Sequence, residues 1–339
     1  MEGLMEARFY DVTGDKLVKC NLCSHRCVIQ PSKKGVCAVR ENRDGRLYTL
    51  VYGRLIARAV DPVEKKPLFH FYPGSKAYSI ATVGCNFRCK NCQNYDISQL
   101  PRETSRVVGD RIAPEEVVED AKRHGCRSIA YTYTEPTIFY EYAYDVAKLA
   151  SREGIKNIFV TNGYITEEAL RGIKPYLDAA NIDLKSFNDS FYRRICGARL
   201  EPVLEAIKLY RELGIWIEIT TLIIPGLNDS EEELRRIASF IKEELDPGVP
   251  WHVSRFYPMY MLLDLPQTPL ETIHKARRIG LEAGLHYVYE GNVPGEGEHT
   301  ICPGCGETLI KRVGYHVLEN KLMDSSCPRC GLKVEGHWR

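Results

Sequence analysis

The sequence predicts an α/β protein: a partial (β/α)6 TIM-like barrel with a cysteine-bearing module on either side. Three observations carry that reading. Residues 76–292 alternate short apolar runs with amphipathic, helix-like stretches. Turn and cap residues punctuate the alternation. Most of the thirteen cysteines fall into three groups, one before the alternating region, one inside it and one after it.

The elements follow in order. "AYSIATVG" is a short apolar run that reads as a first strand. "PEEVVEDAKRHG" reads as a helix, with Pro114 and acids in its first turn and Gly125 as its stop. "SIAYTYTEP" is a strand and "TIFYEYAYDVAKLASREG" a helix. "NIFVTNG" is a strand, "TEEALRGIKPYL" a helix, "AANIDLK" a strand and "LEPVLEAIKLYRELG" a helix. "IWIEITTLIIPG" is a strand, followed by "DSEEELRRIASFIKEEL", a helix with an acid-rich start. "PWHVSRFYP" and "LHYVYEGN" are strands on either side of the helix "PLETIHKARRIGLEAG". Six or seven β/α units imply parallel strands with right-handed crossovers, closed as an open or partial barrel. Chemistry in such folds sits at the C-terminal ends of the strands.

Composition excludes several classes. There are 46 basic and 45 acidic residues, so no global field draws the chain to a polyanion or a membrane surface. No run of about 18 apolar residues exists, and "MEGLMEARFYDVTG" is too polar for a signal peptide. A soluble, cytoplasmic protein is expected. In a reducing cytosol, grouped cysteines point to metal or catalysis rather than disulfides. A G-x-G-x-x-G phosphate fingerprint is absent; "VPGEGEH" lacks the strand-to-helix context.

Cys302, Cys305, Cys327 and Cys330 sit in "CPGCG" and "CPRCG", two C-x2-C knuckles around a hairpin-like stretch. Four thiolates so arranged suit tetrahedral zinc, and a small module needs a metal its core cannot replace. A rubredoxin-like iron is the competitor. Cys20, Cys23, Cys27 and Cys37 form the first group and could close one site, holding zinc or a second iron–sulfur cluster; His25 lies among them. Cys126 and Cys196 are isolated and read as small buried hydrophobes.

The middle group, "GCNFRCKNCQNY", stops at three: Cys85, Cys89 and Cys92, spaced C-x3-C-x2-C. Three thiolates can hold three irons of a [4Fe–4S] cluster and leave the fourth iron open to a small molecule. This spacing, after the first barrel strand, resembles the radical S-adenosylmethionine (SAM) superfamily. The resemblance implies that SAM chelates the open iron. It also implies that the reduced cluster cleaves SAM to methionine and a 5′-deoxyadenosyl radical, which abstracts hydrogen.

The resemblance continues along the chain. "YTYTEP" stands where the superfamily has Gly-Gly-Glu-Pro, so Glu135 would orient the SAM ammonium, with Tyr133 and Thr134 in place of the glycines. "VTNGY" resembles glycyl-radical activating enzymes and places Thr161 and Asn162 near SAM; Val160 stands where those enzymes have Asp. In "IDLK", Asp183 and Lys185 alternate onto one strand face and would serve SAM or a substrate anion. Asn91 replaces a usual aromatic before the third cysteine. His252 is an active-site or a core histidine. "EKKPLFH" is either a cover over the barrel mouth, with Lys65, Lys66 and His70 reaching an anion, or a solvated linker.

Taken together, "CNLC", "DPVEKKPLFHFYPGS", "GCNFRCKNCQNYDISQ" and "YTYTEP" resemble the AmmeMemoRadiSam-system radical SAM enzymes, pyruvate formate-lyase activating enzyme homologues. That resemblance implies a one-electron donor of ferredoxin or flavodoxin type and association with Memo-like and AmmeCR-like proteins. The expected architecture is a cysteine-rich module at 1–75, the SAM barrel at 76–295 and a zinc ribbon at 296–339. The expected function is a radical SAM enzyme, with glycyl-radical activation of a protein as one option. The alternative is a zinc or iron–sulfur binding or sensing protein without SAM chemistry.

Overall fold

The computed structural model describes residues 4–293 and 295–338. Residues 1–3, 294 and 339 lie outside the described residues. One sheet organises the chain. Its strands are β1 (Ala57–Pro62), β2 (Lys76–Ala81), β3 (Ser128–Tyr131), β4 (Lys156–Thr161), β5 (Ala179–Asp183), β6 (Trp216–Ile223), β7 (Trp251–Arg255) and β8 (Val288–Gly291). They lie side by side in sequence order. β2 to β8 are all parallel, and β1 runs antiparallel to β2 at the edge. Among the described residues no pairing joins β8 back to β1.

Helices connect the parallel strands: α1 (Pro114–Arg123), α2 (Tyr140–Arg152), α3 (Glu167–Ile173), α4 (Glu201–Glu212), α5 (Glu231–Phe240) and α6 (Leu270–Glu282). Local chemistry explains their starts. At α1, Pro114 takes the first position, where its missing N–H costs nothing, and Glu116 reaches back to the Ala113 N–H at 3.0 Å. At α5, Ser230 Oγ accepts from the Glu233 N–H, and three glutamates in the first turn complement the helix dipole. Each helix buries an apolar stripe, such as Leu234, Ile237 and Ala238 of α5. Strands covered on both faces are buried almost throughout, which is why β3 and β5 read as apolar runs rather than alternations.

All seven sequence-read strands are present. β1 was not among them: with Arg58 and Asp61 it lacks the apolar continuity of its neighbours, and its pairing with β2 makes it a strand. Two small three-stranded sheets precede it. One pairs Tyr10–Thr13, Leu17–Cys20 and Val28–Ile29; the other pairs Met5–Glu6, Arg46–Thr49 and Arg40–Arg43. Arg40 anchors this region to α2 through a buried bidentate pair with Glu141, at 2.9 and 3.2 Å. After β8, Thr300–Ile301, Thr308–Val313 and His316–Asn320 form a third small antiparallel sheet. It docks through Arg312, which donates to Phe69 O, and the segment after it docks through the His337 backbone N–H, which donates to His70 O.

The "EKKPLFH" segment is a buried strap rather than a solvated linker. Leu68, Phe69, His70 and Lys66 are all buried, and the Phe69 and His70 amides donate to Glu218 of β6. No helix among the described residues is long and apolar enough to cross a membrane.

Candidate active site

A cavity of about 500 Å³ opens at the C-terminal ends of the parallel strands. Cys85, Cys89 and Cys92 line it, as do Glu135, Thr161, Asn162, Asp183 and Lys185, so the strand ends bring together every residue expected there. A larger groove of about 750 Å³ lies against α4 and α5, but it holds no thiol and stands away from the strand ends.

The thiol loop leaves β2 at Gly84, whose φ of +100° belongs to glycine. A Cβ there would meet Val39 Cγ1 at 2.8 Å, so the loop presses on the N-terminal region. The Phe87 N–H points at Cys85 Sγ, 3.3 Å away, and Ser98 Oγ lies 3.2 Å from Cys92 Sγ. Beside the loop, the Cys196 carbonyl accepts from the Arg88 N–H, and the buried Cys196 thiol lies near Cys89. The Cys196 thiol, with the nearby Lys185 charge, holds the Cys89 thiol below its ordinary pKa against the effect of burial. Cys196 is fully buried in the core, as its isolation in sequence suggested.

Glu135 follows β3. Its Oε1 accepts from Thr137 N–H and Oγ1 and from Thr161 Oγ1 at 2.8 Å; its Oε2 accepts from Asn162 N–H at 2.8 Å. Burial pushes the carboxyl upward against these four donors. Tyr133, two residues earlier, sits at φ +62°, a left-handed conformation that costs a side chain about 1 kcal/mol. Its hydroxyl is anchored on Asp61, and its ring lies 4.5 Å from Lys66 Nζ. Asp61 also binds Lys65 and Lys66 and is held well below the carboxylate range: these partners outweigh its burial. Burial pushes the Lys66 amine down to about 8.

Asp183 and Lys185 form a 2.8 Å pair beside Cys89. Burial is the largest single effect and opposes the lysine's charge, but Asp183 together with the Cys89 and Cys196 sulfurs outweighs it and the amine is raised. His252 Nε2 meets Glu218 Oε2 at 2.7 Å, both buried, with His252 on the cavity wall. The signal for Glu218 was present in "IWIEITT", a lone acid in an apolar strand. Arg255 is committed to Thr268 O. Asn91 is buried on the cavity wall, and its Oδ1 has no hydrogen-bond partner among the described residues.

The other two cysteine groups differ. Cys302 to Cys330 Sγ is 3.6 Å, Cys305 to Cys327 Sγ is 3.7 Å, and all four sulfurs lie within 4.8 Å of one another. Zinc–sulfur bonds of about 2.3 Å put tetrahedral sulfurs about 3.8 Å apart, so this set could hold a metal ion. Among the described residues no three of Cys20, Cys23, Cys27 and Cys37 converge that closely, although all four line one pocket. His25 Nε2 is engaged with Asn86 O at 2.8 Å.

Comparison with known proteins agrees with this geometry. Residues 79–240 match the sequence profile of the Radical SAM superfamily. Over 335 residues the chain is 46% identical to the uncharacterized protein MJ0808 of Methanocaldococcus jannaschii, covering 98% of this chain and 99% of that one. Over 221 residues it is 26% identical to the pyruvate formate-lyase-activating enzyme of Clostridium pasteurianum, covering 61% of this chain and 89% of that enzyme. SuiB of Streptococcus suis, solved bound to S-adenosylmethionine, shares the fold with a TM-score of 0.51 at 13% identity, over 68% of this chain and 53% of that one. The chain belongs to the radical SAM superfamily and is an enzyme of the activating-enzyme-like kind. Membership implies a [4Fe–4S] cluster, SAM and a reductant.

Proposed function

We propose that Cys85, Cys89 and Cys92 hold a site-differentiated [4Fe–4S] cluster and that the adjoining strand ends hold SAM. The observation that carries this reading is the gathering of three thiols, Glu135, Thr161, Asn162, Asp183 and Lys185 around one cavity. When bound and reduced, the cluster supplies the electron that splits SAM into methionine and a 5′-deoxyadenosyl radical, which abstracts hydrogen from the substrate. The chain's own residues position and shield. Glu135, fixed by Thr137, Thr161 and Asn162, presents a carboxylate edge to the SAM ammonium. Lys185, charged and held by Asp183, faces the SAM carboxylate. The orphaned Asn91 Oδ1 offers the acceptor a buried ligand needs to satisfy. Gly314 and Tyr315, on the C-terminal hairpin, also line this cavity.

Zinc on Cys302, Cys305, Cys327 and Cys330 completes that hairpin module. Lys65 and Lys66, which line the same cavity and are paired with Asp61, suit an anionic substrate group. Glycyl-radical activation of a protein is one substrate class that fits an activating-enzyme relative, and Memo-like and AmmeCR-like proteins are the partners to try. A ferredoxin or flavodoxin supplies the electron.

The test is anaerobic. The chain is loaded with iron and sulfide, reduced, and its EPR spectrum recorded with and without SAM, while 5′-deoxyadenosine is assayed by chromatography. A signal that shifts with SAM, and a product lost in Cys89→Ala, are expected. A different SAM fragment would overturn the bond assignment; zinc in the loop without a cluster would overturn the whole reading.

A further inference from the structure

The loop of Cys85, Cys89 and Cys92 has an outer face that the chemistry above does not use. Phe87, Cys89 and Asn91 line the cavity, whereas Arg88 and Lys90 between them are exposed. Successive side chains thus point to opposite sides, as they do along an extended chain. Arg88 and Lys90 flank Cys89 directly, with Cα atoms about 3.8 Å from its own. Whatever touches the outer face at Lys90 stands one residue from a thiol of the inner face.

Two other segments widen this face. The Lys90 N–H donates to Ile195 O at 3.0 Å and the Arg88 N–H to Cys196 O at 2.9 Å, which brings the exposed Arg194 alongside. The Arg88 side chain lies across Gly197, where a Cβ would meet its Nε at 2.5 Å. Lys90 O in turn accepts from the Met261 N–H at 2.9 Å. Met261 and Leu263, in the loop after β7, are 60% and 66% exposed. Tyr260 of that loop stacks on the exposed Tyr95, which follows the thiols, with ring centroids 4.6 Å apart. Single exposed apolar side chains are ordinary, but three gathered around Tyr260 form a patch that suits a partner.

Charge decides the kind of partner. The whole chain is balanced, with 46 basic and 45 acidic residues. Residues 86–106 and 188–201, beside the apolar loop, hold seven basic residues against four acidic ones. Of those acids, Asp189 is bound to Arg193, and Glu103 accepts from the Tyr260 hydroxyl at 2.7 Å. The loop after β7 adds one exposed acid, Asp264. An apolar centre with a basic margin complements an acidic surface. A patch of a few side chains suits the brief encounters of electron-transfer proteins, whose interfaces stay below about 1,200 Å². A substrate must enter the cavity on the other side of this loop; an electron needs only to cross it.

We propose that the face formed by Arg88, Lys90, Arg194, Tyr95, Met261 and Leu263 docks an acidic one-electron carrier protein and is where the electron enters. Its destination, a cluster on Cys85, Cys89 and Cys92, rests on the function proposed above. The carrier is oxidised by one electron and the cluster reduced by one, and no bond forms or breaks in the transfer.

The test uses the full chain loaded with iron and sulfide, and an acidic flavodoxin as the carrier. Binding of the oxidised flavodoxin is read by titration calorimetry, and reduction of the chain by reduced flavodoxin is read by stopped-flow absorbance. Raising salt from about 0.1 M to about 1 M shortens the Debye length from about 10 Å to about 3 Å and should slow the reduction at least about tenfold. Lys90→Glu/Arg194→Glu should weaken binding and slow reduction by a similar factor, and Lys90→Gln/Arg194→Gln by less. With dithionite as reductant, both variants should reach the wild-type extent of reduction and form as much 5′-deoxyadenosine. A wild-type rate that ignores salt overturns the proposal, however the variants fold. A rate that falls with salt but ignores both variants places the carrier elsewhere and overturns this face. A wild-type chain that binds flavodoxin but that dithionite cannot reduce would overturn the function proposed above, and the entry of the electron with it.

Discussion

The C-terminal thiols and the thiols of the loop after β2 use the same residue for opposite ends. Cys302, Cys305, Cys327 and Cys330 crowd within 4.8 Å, on knuckles whose surroundings are partly exposed. Cys85, Cys89 and Cys92 stay apart around a cavity, backed by the sheet and by carboxylate, amide and ammonium groups. Four converging ligands saturate an ion and stabilise a fold; three spread ligands leave room for chemistry. Ligand count and spread, not cysteine content, separate a scaffold from a catalyst.

The sharpest way to break that comparison is to exchange losses. Cys89→Ala should abolish 5′-deoxyadenosine formation and strip iron from the loop while leaving zinc content unchanged, as read by product assay and metal analysis. Cys305→Ala should do the converse. It should release zinc and cost on the order of 3–5 kcal/mol in the C-terminal module, seen as lost hydrogen-exchange protection over 300–334 with β2 to β8 still protected. Equal loss of iron in both variants would dissolve the distinction.

Smaller changes sharpen it. Glu135→Gln keeps the shape but removes the charge that the ammonium meets. A charge-assisted hydrogen bond of about 1.5–3 kcal/mol predicts SAM binding weaker by roughly 10- to 100-fold in titration calorimetry. Because burial raises the Glu135 carboxyl, acidification should neutralise it earlier than an ordinary glutamate. SAM affinity should therefore fall as pH is lowered, and the fall should vanish in Glu135→Gln. Gly84→Ala would place a methyl 2.8 Å from Val39 in a left-handed backbone, costing about 1–3 kcal/mol by denaturant unfolding. Tyr133→Phe removes only the bond to Asp61 and should cost about 1 kcal/mol, the smallest effect.

Much of this was legible in sequence because it is local. The β/α alternation, the helix starts at Pro114 and Ser230 and the three cysteine spacings are each written within a few consecutive residues. Edge strand β1 was not legible, because pairing rather than apolar continuity makes it a strand. The burial of Cys196 was legible, but its nearness to Cys89 was not, because the two lie more than a hundred positions apart in the chain. "EKKPLFH" could be read two ways until Glu218 accepted its amides.

The sequence by itself determined the fold class, the three thiol sets and the strand-end residues Glu135, Thr161, Asn162, Asp183 and Lys185. Spacing along the chain dictates which way neighbouring side chains point. Only the tertiary structure decided that the C-terminal thiols converge on one point and that the strap before β2 is buried against Glu218. Those are distances between segments remote in sequence, set by packing of the whole sheet and its flanking modules, and no local pattern encodes them.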